Sequence, residues 1–238
     1  MKTKITTCLL ALCLWGTNSN AQLYDDFNGS AVNPALWSTF YPSFGNSGIT
    51  ESGGNVRFLN GSALTTVSQF PNPTISGRFR ISGWEYDRFK VLFRSDGTTI
   101  DSHWQTRIGG LGVQFTSGAN PDYGTSQTLQ LWNFQTGTLL ATAAPTINMN
   151  TFYDFLITDS GSQISVFLNN APTPVLSFFT STSYGNYVEF GNREQAAGSG
   201  PPPYYLDLDF VSIVPEPSSF LIFGLGALGF WGYRRKIV

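Results

Sequence analysis

Phe152-Tyr153-Asp154-Phe155-Leu156-Ile157-Thr158, Asp159-Ser160-Gly161-Ser162, Gln163-Ile164-Ser165-Val166-Phe167-Leu168: this stretch decides the fold. Two apolar-rich runs flank four small polar residues that include a glycine, which is the pattern of a β-hairpin and its turn. Ile164, Val166 and Leu168 recur at every second position, so they are expected to point inward.

Working outward, the same period recurs. Phe79 and Ile81 alternate with Arg78 and Arg80, and Phe89, Val91 and Phe93 with Arg88, Lys90 and Arg94. Leu111, Val113 and Phe115 form one face of the next run. Leu129 and Leu131 mark another, with Trp132 on the opposite side. Val188 and Phe190 flank Glu189, and Leu206, Leu208 and Phe210 alternate with Asp207 and Asp209. Gly, Pro, Asn, Asp and Ser separate the runs. Period two with one apolar face predicts antiparallel sheets packed by those faces, an all-β sandwich. Asn33-Pro34-Ala35-Leu36-Trp37 is expected to form one short helical turn.

Composition agrees. Of 238 residues, 41% are hydrophobic, 15% aromatic and only 12% charged, which argues against disorder. Gly, Thr, Ser, Asn and Phe outweigh the strong helix formers, which argues against a helical bundle. A net charge of −2 gives no basic excess for nucleic acid.

Both ends read as addresses. Lys2 and Lys4 precede the apolar run Ile5 to Trp15, and Ser19-Asn20-Ala21 is a small-x-small cleavage site. Residues 1–21 are therefore expected to be a secretory signal peptide, cut by signal peptidase before Gln22. Cys8 and Cys13 both leave with it, so the domain must stand without disulfides. At the other end Val214-Pro215-Glu216-Pro217 is followed by an uncharged apolar run, Phe220 to Trp231, and then by Arg234-Arg235-Lys236. Twelve residues make roughly 18 Å of helix, short of the ~30 Å hydrocarbon core, although flanking basic and aromatic residues extend the match. The basic triplet is expected to stay cytoplasmic, leaving the domain outside. Without these ends, residues 22–213 hold eight basic and fourteen acidic residues, a net charge of −6.

The C-terminal segment 214–238 resembles the PEP-CTERM sorting signal in motif, order, spacing and position. The resemblance implies an exported protein of a Gram-negative, exopolysaccharide-making bacterium. A short transmembrane helix would be processed by an exosortase, and the product would reach the cell surface or extracellular matrix. Pro215, Glu216, Pro217, Arg234, Arg235 and Lys236 would be sorting residues. The opening Tyr24-Asp25-Asp26-Phe27-Asn28-Gly29-Ser30 with Leu36-Trp37 resembles the start of concanavalin A-like jelly rolls, which include lectins, laminin-G-like modules and laminarinase-type glucanases. The hairpin at 152–168 resembles their late hairpin, and Tyr187 to Asn192 with Leu206 to Phe210 their last two strands. The resemblance implies a jelly roll whose first and last strands pair.

Laminarinase-type enzymes carry Glu-x-Asp-x-x-Glu on one bulged strand, the first Glu as nucleophile and the last as acid/base. Here Glu85 and Asp87 match, but Lys90 holds the acid/base position. An ammonium of ordinary pKa near ~10.4 is a poor replacement for a tuned carboxylic acid. No catalytic residue is therefore expected, and Glu85 and Asp87 remain the alternative. His103 is the only histidine and no Gly-x-Ser-x-Gly elbow accompanies it, so neither a serine hydrolase nor a zinc site is expected. No cofactor is expected, with structural calcium at Asp25, Asp26, Asp207 and Asp209 as the alternative, since pairing of the first and last strands would bring them together.

Five of the basic residues lie between 78 and 94 on the non-core sides of two consecutive strands. Pairing of those strands would make one basic stripe of Arg78, Arg80, Arg88, Lys90 and Arg94, with Trp84 and Tyr86 at its end. Such a stripe suits acidic sugars, and the bland reading is cross-strand ion pairing. Trp104, Tyr123, Trp132, Tyr184 and Tyr187 lie in or beside turns and are further stacking candidates. The function expected is a non-catalytic, polysaccharide-binding surface protein. The alternatives are a glycoside hydrolase or polysaccharide lyase, and a purely structural surface protein.

Overall fold

The computed structural model describes residues 22–41, 48–59, 61–81, 87–98, 107–192 and 205–215. The signal peptide, Trp84, Glu85, Tyr86, His103, Trp104, Glu216, Pro217, Arg234, Arg235, Lys236 and the C-terminal apolar run lie outside them. Among the described residues no helix is long and apolar enough to cross a membrane.

The chain is all-β. Its strands are β1 (Leu23–Asp25), β2 (Trp37–Phe40), β3 (Gly48–Glu51), β4 (Val56–Leu59), β5 (Ala63–Thr66), β6 (Pro73–Ile81), β7 (Arg88–Ser95) and β8 (Leu111–Thr116). They continue as β9 (Leu129–Asn133), β10 (Thr138–Ala143), β11 (Phe152–Asp159), β12 (Gln163–Leu168), β13 (Leu176–Phe179), β14 (Tyr187–Asn192) and β15 (Tyr205–Pro215). An eight-stranded sheet runs β13-β12-β11-β6-β15-β4-β3, with β1 also on β15, and a seven-stranded sheet runs β10-β9-β8-β7-β14-β5-β2. Every pairing is antiparallel.

The first and last strands pair, Leu23 opposite Ile213 and Asp25 opposite Val211. The hairpin at 152–168 forms β11 and β12, with Asp159 opposite Ile164 and Gly161 at φ 79° in the turn. Asn33 accepts from the N–H groups of Leu36 and Trp37, which closes the expected single helical turn.

The core lies between the sheets and is rich in phenylalanine. The Phe79 ring is 4.8 Å from those of Phe89 and Phe115, and Phe155 and Tyr153 pack around them. Gly77 interrupts β6 for the same reason: a Cβ there would lie 2.8 Å from the Phe155 ring and 2.5 Å from the Phe210 carbonyl oxygen.

One expectation fails here. The strands carrying the basic stretch do not pair, since β6 lies in the eight-stranded sheet and β7 in the seven-stranded one. Phe79 and Phe89 meet across the core, so the basic sides of their strands must point away from each other. Arg78 and Arg80 emerge on the outer side of one sheet, whereas Arg88 and Lys90 point to the outer side of the other and are buried there.

Candidate functional site

β7 and β14 are neighbours near the middle of the seven-stranded sheet, and their non-core sides carry Arg88, Lys90 and Leu92, with Glu189 beside them. This is the face onto which the Glu-x-Asp-x-x-Glu pattern would project. The ladder from β7 to β8 runs from Arg88–Thr116 to Phe93–Leu111 without a shift. No bulge therefore corrects the period between 88 and 93. Asp87 precedes β7 and is buried. The irregularity in β7 comes later, where Arg94 takes φ 51° and the register to β14 slips.

The polar groups on this face are buried by the chain itself. Lys90, Gln114 and Glu189 are each 1% exposed, and Arg88 and Gln130 are fully buried. At one end, Asp122 and Tyr123 from the β8–β9 connection sit on Arg88, whose Nη2 is 2.5 Å from the Asp122 carboxylate and whose guanidinium lies 4.7 Å from the Tyr123 ring. At the other, Phe134 packs with Leu92 and Ile108, flanked by Trp132 and Tyr187, and the Lys90 ammonium stands 5.4 Å from the Phe134 ring. Gly112 makes room for that ring, because a Cβ there would lie 2.8 Å from it. Gln114 donates to Gln130, which also accepts from the Trp132 indole.

Glu189 is the carboxylate at the centre of this face. Its oxygens accept from the Thr65 hydroxyl at 3.0 Å and from the Arg107 backbone N–H at 3.2 Å. Burial pushes its pKa up from 4.5 to about 7, while these hydrogen bonds and the positive charges of Lys90 and Arg107 pull the other way. Alternation already places Glu189 outward between Val188 and Phe190, but nothing local to the sequence places it beside Lys90, because that depends on β14 joining β7.

Arg94 has another role. Its guanidinium crosses the edge of the sandwich to Asp159, with both partners buried, and also donates to the carbonyls of Thr180 and Thr182. Asp159 in turn accepts the Gly161 N–H, so one carboxylate ties the hairpin turn of one sheet to a strand of the other.

The outer face of the eight-stranded sheet is open. Phe152, Arg80, Asp207, Arg57 and Thr50 lie side by side on five adjacent strands. Arg57 grips Asp207 with Nε and Nη2 at 2.7 and 3.0 Å, and Arg80 pairs with the same carboxylate. The Asp207 hydrogen bond holds the Arg57 guanidinium above its ordinary range, against the opposing effect of burial. Arg57 lies 3.6 Å from the Tyr205 ring and Arg80 4.6 Å from the Phe152 ring. Arg78 pairs with Asp154 at 2.7 Å and reaches Asp209 at 3.6 Å. Reading the sequence for sites missed Arg57, because the run around it is only four residues long and its partner lies 150 positions away.

Three of the four residues expected to hold calcium are engaged within the chain. Asp207 already serves two guanidiniums, Asp209 faces Arg78, and Asp25 accepts from the Phe27 N–H and the Trp37 indole. Asp26 is exposed. Among the described residues no group of three or more His, Cys, Asp or Glu gathers.

Comparison with known proteins gives two results. Residues 214–236 match the model of the PEP-CTERM protein-sorting motif. In fold, the chain is similar to a Bacillus licheniformis β-glucanase at 12% identity and a TM-score of 0.61, covering 84% of this chain and all of that one. It is similar to a β-1,3-1,4-glucanase (lichenase) from a mouse hindgut metagenome at 11% identity and a TM-score of 0.59, covering 82% and 99%. It also resembles a Bacillus subtilis protein of unknown function with a galectin-like fold, at 12% identity and a TM-score of 0.56, covering 81% and 98%. No curated protein matches the sequence. The sorting motif implies an exported protein with a C-terminal membrane-anchor region that is processed by an exosortase. The chain thus joins a PEP-CTERM protein-sorting motif to a jelly-roll domain of the glucanase fold.

Proposed function

We propose that this is a non-catalytic, polysaccharide-binding protein of the cell surface or extracellular matrix of a Gram-negative bacterium. The observation that carries this reading is the closed face of the seven-stranded sheet. Phe134, Ile108, Asp122 and Tyr123 occupy the space above Arg88, Lys90 and Glu189 that a sugar chain would need in order to meet a catalytic pair there. A lysine stands where the acid would be, and between Arg88 and Phe93 the ladder carries no bulge to correct the period. A retaining pair needs two carboxyl groups ~5–5.5 Å apart across the scissile bond, one of them protonated.

The test is a glycan array that includes the exopolymer of the producing cell, run beside hydrolysis and lyase assays on laminarin and alginate. Binding without turnover is the expected result. Turnover abolished by Glu85→Gln would establish instead the hydrolase or lyase reading, since one fold hosts both enzymes and binding proteins.

A further inference from the structure

We infer that the outer face of the eight-stranded sheet binds an anionic substituent of a polysaccharide, in the pocket formed by Arg57, Arg80 and Asp207. The inference rests on the polysaccharide-binding reading above and gives it a place and a ligand chemistry.

One arginine would neutralise Asp207, yet the fold supplies two. Arg57 and Arg80 approach the buried carboxylate from opposite strands, leaving one positive charge in excess. Both use Nε and Nη2 for Asp207, so Nη1 of each guanidinium is not spent on it. The two side chains remain 40% and 29% exposed while Asp207 is 1% exposed, so the carboxylate is a buried anchor that aims the two cations outward. The Tyr205 and Phe152 rings lie against the two guanidiniums at cation–π distance. The ordering entropy of two long side chains is therefore spent before any ligand arrives.

A cavity of about 200 Å³ opens on this group, walled by Thr50, Ser52 and Asn55. Two outward guanidiniums and the Thr50 and Ser52 hydroxyls make this a pocket for an anion that accepts hydrogen bonds. A carboxylate or sulfate on a sugar ring meets this need, with guanidinium–oxyanion hydrogen bonds as the strong contacts. The row from Phe152 to Thr50 crosses five strands, about 19 Å, which gives a polymer room to lie across the sheet.

The experiment measures binding of the full chain, in mild detergent, to polygalacturonate, dextran sulfate and uncharged dextran. Binding to one or both anionic polymers is expected, weakening as salt is raised, and the two arms separate carboxylate from sulfate. Ser52→Asp keeps every arginine–aspartate pair and sets a like charge at the mouth of the pocket. It should weaken binding about tenfold or more with an unchanged melting temperature. Arg57→Gln should do the same at some cost in stability. Binding to dextran alone, or anion binding indifferent to Ser52→Asp and Arg57→Gln, overturns the site and leaves polysaccharide binding standing. No binding to these polymers or to the array overturns both.

Discussion

Glu189 combines full burial with two hydrogen bonds and two nearby positive charges, and burial prevails. Its folded pKa of about 7 lies above the ordinary 4.5, so the fold favours the neutral acid. The sign follows. Stability from this group is fully present below about pH 4.5 and is lost as pH rises through 7. Denaturant titrations across that window should show the wild type losing stability with pH and Glu189→Gln losing less. A wild type that gains stability over the same range would place Glu189 as a charged partner of Lys90. The Arg94–Asp159 pair is also buried, and here each charge has the other. Asp159→Ala leaves an uncompensated guanidinium inside and should cost about 3–5 kcal/mol. Replacing both residues by apolar ones should recover much of that loss, as read by urea denaturation.

At the scale of elements, close packing explains where glycine interrupts a strand. Gly77 sits mid-β6 under the Phe155 ring, and Gly112 sits in β8 under Phe134. Gly77→Ala should cost about 1–3 kcal/mol through overpacking. Gly112→Val should displace Phe134 from the face it covers, which a change in the fluorescence of the neighbouring Trp132 would register. The runs with clean alternation, β6 to β9, β11, β12, β14 and β15, were legible from period two. Strands of three or four residues such as β1 to β5 and β13 were not, because so few positions cannot display a period. β10 was missed for another reason: its pattern, Thr-Leu-Leu-Ala-Thr-Ala, is half-exposed on an edge and has no clear apolar face.

For the whole molecule, the junction between domain and tail matters most. β15 runs to Pro215, two residues past the expected domain end at 213, with Val214 opposite Thr74 and Pro215 opposite Pro73. The sorting motif therefore begins inside the sheet. Only Glu216 to Ser219 separate the strand from the apolar run, a reach of at most about 14 Å. Unprocessed protein would hold its jelly roll close to the bilayer. A cut that spares the ladder must fall after Pro215. The intact mass of the processed form should include that residue, and truncation after Ile213 should lower the melting temperature.

The sequence by itself determined that the domain is an all-β sandwich, that its core is aromatic and cysteine-free, and that its C-terminus carries a sorting signal. Those features are local: a period, a composition, a motif in a row. Tertiary structure alone decided which sheet each strand enters. That choice placed Arg78 and Arg80 opposite Arg88 and Lys90 across the sandwich, dissolving the single basic stripe. It brought Glu189 beside Lys90 from about a hundred residues away and set Arg57 on Asp207 from 150. The physical reason is that alternation fixes which side of a strand faces the core, while the partner on the other side depends on long-range pairing. No window of sequence contains that pairing.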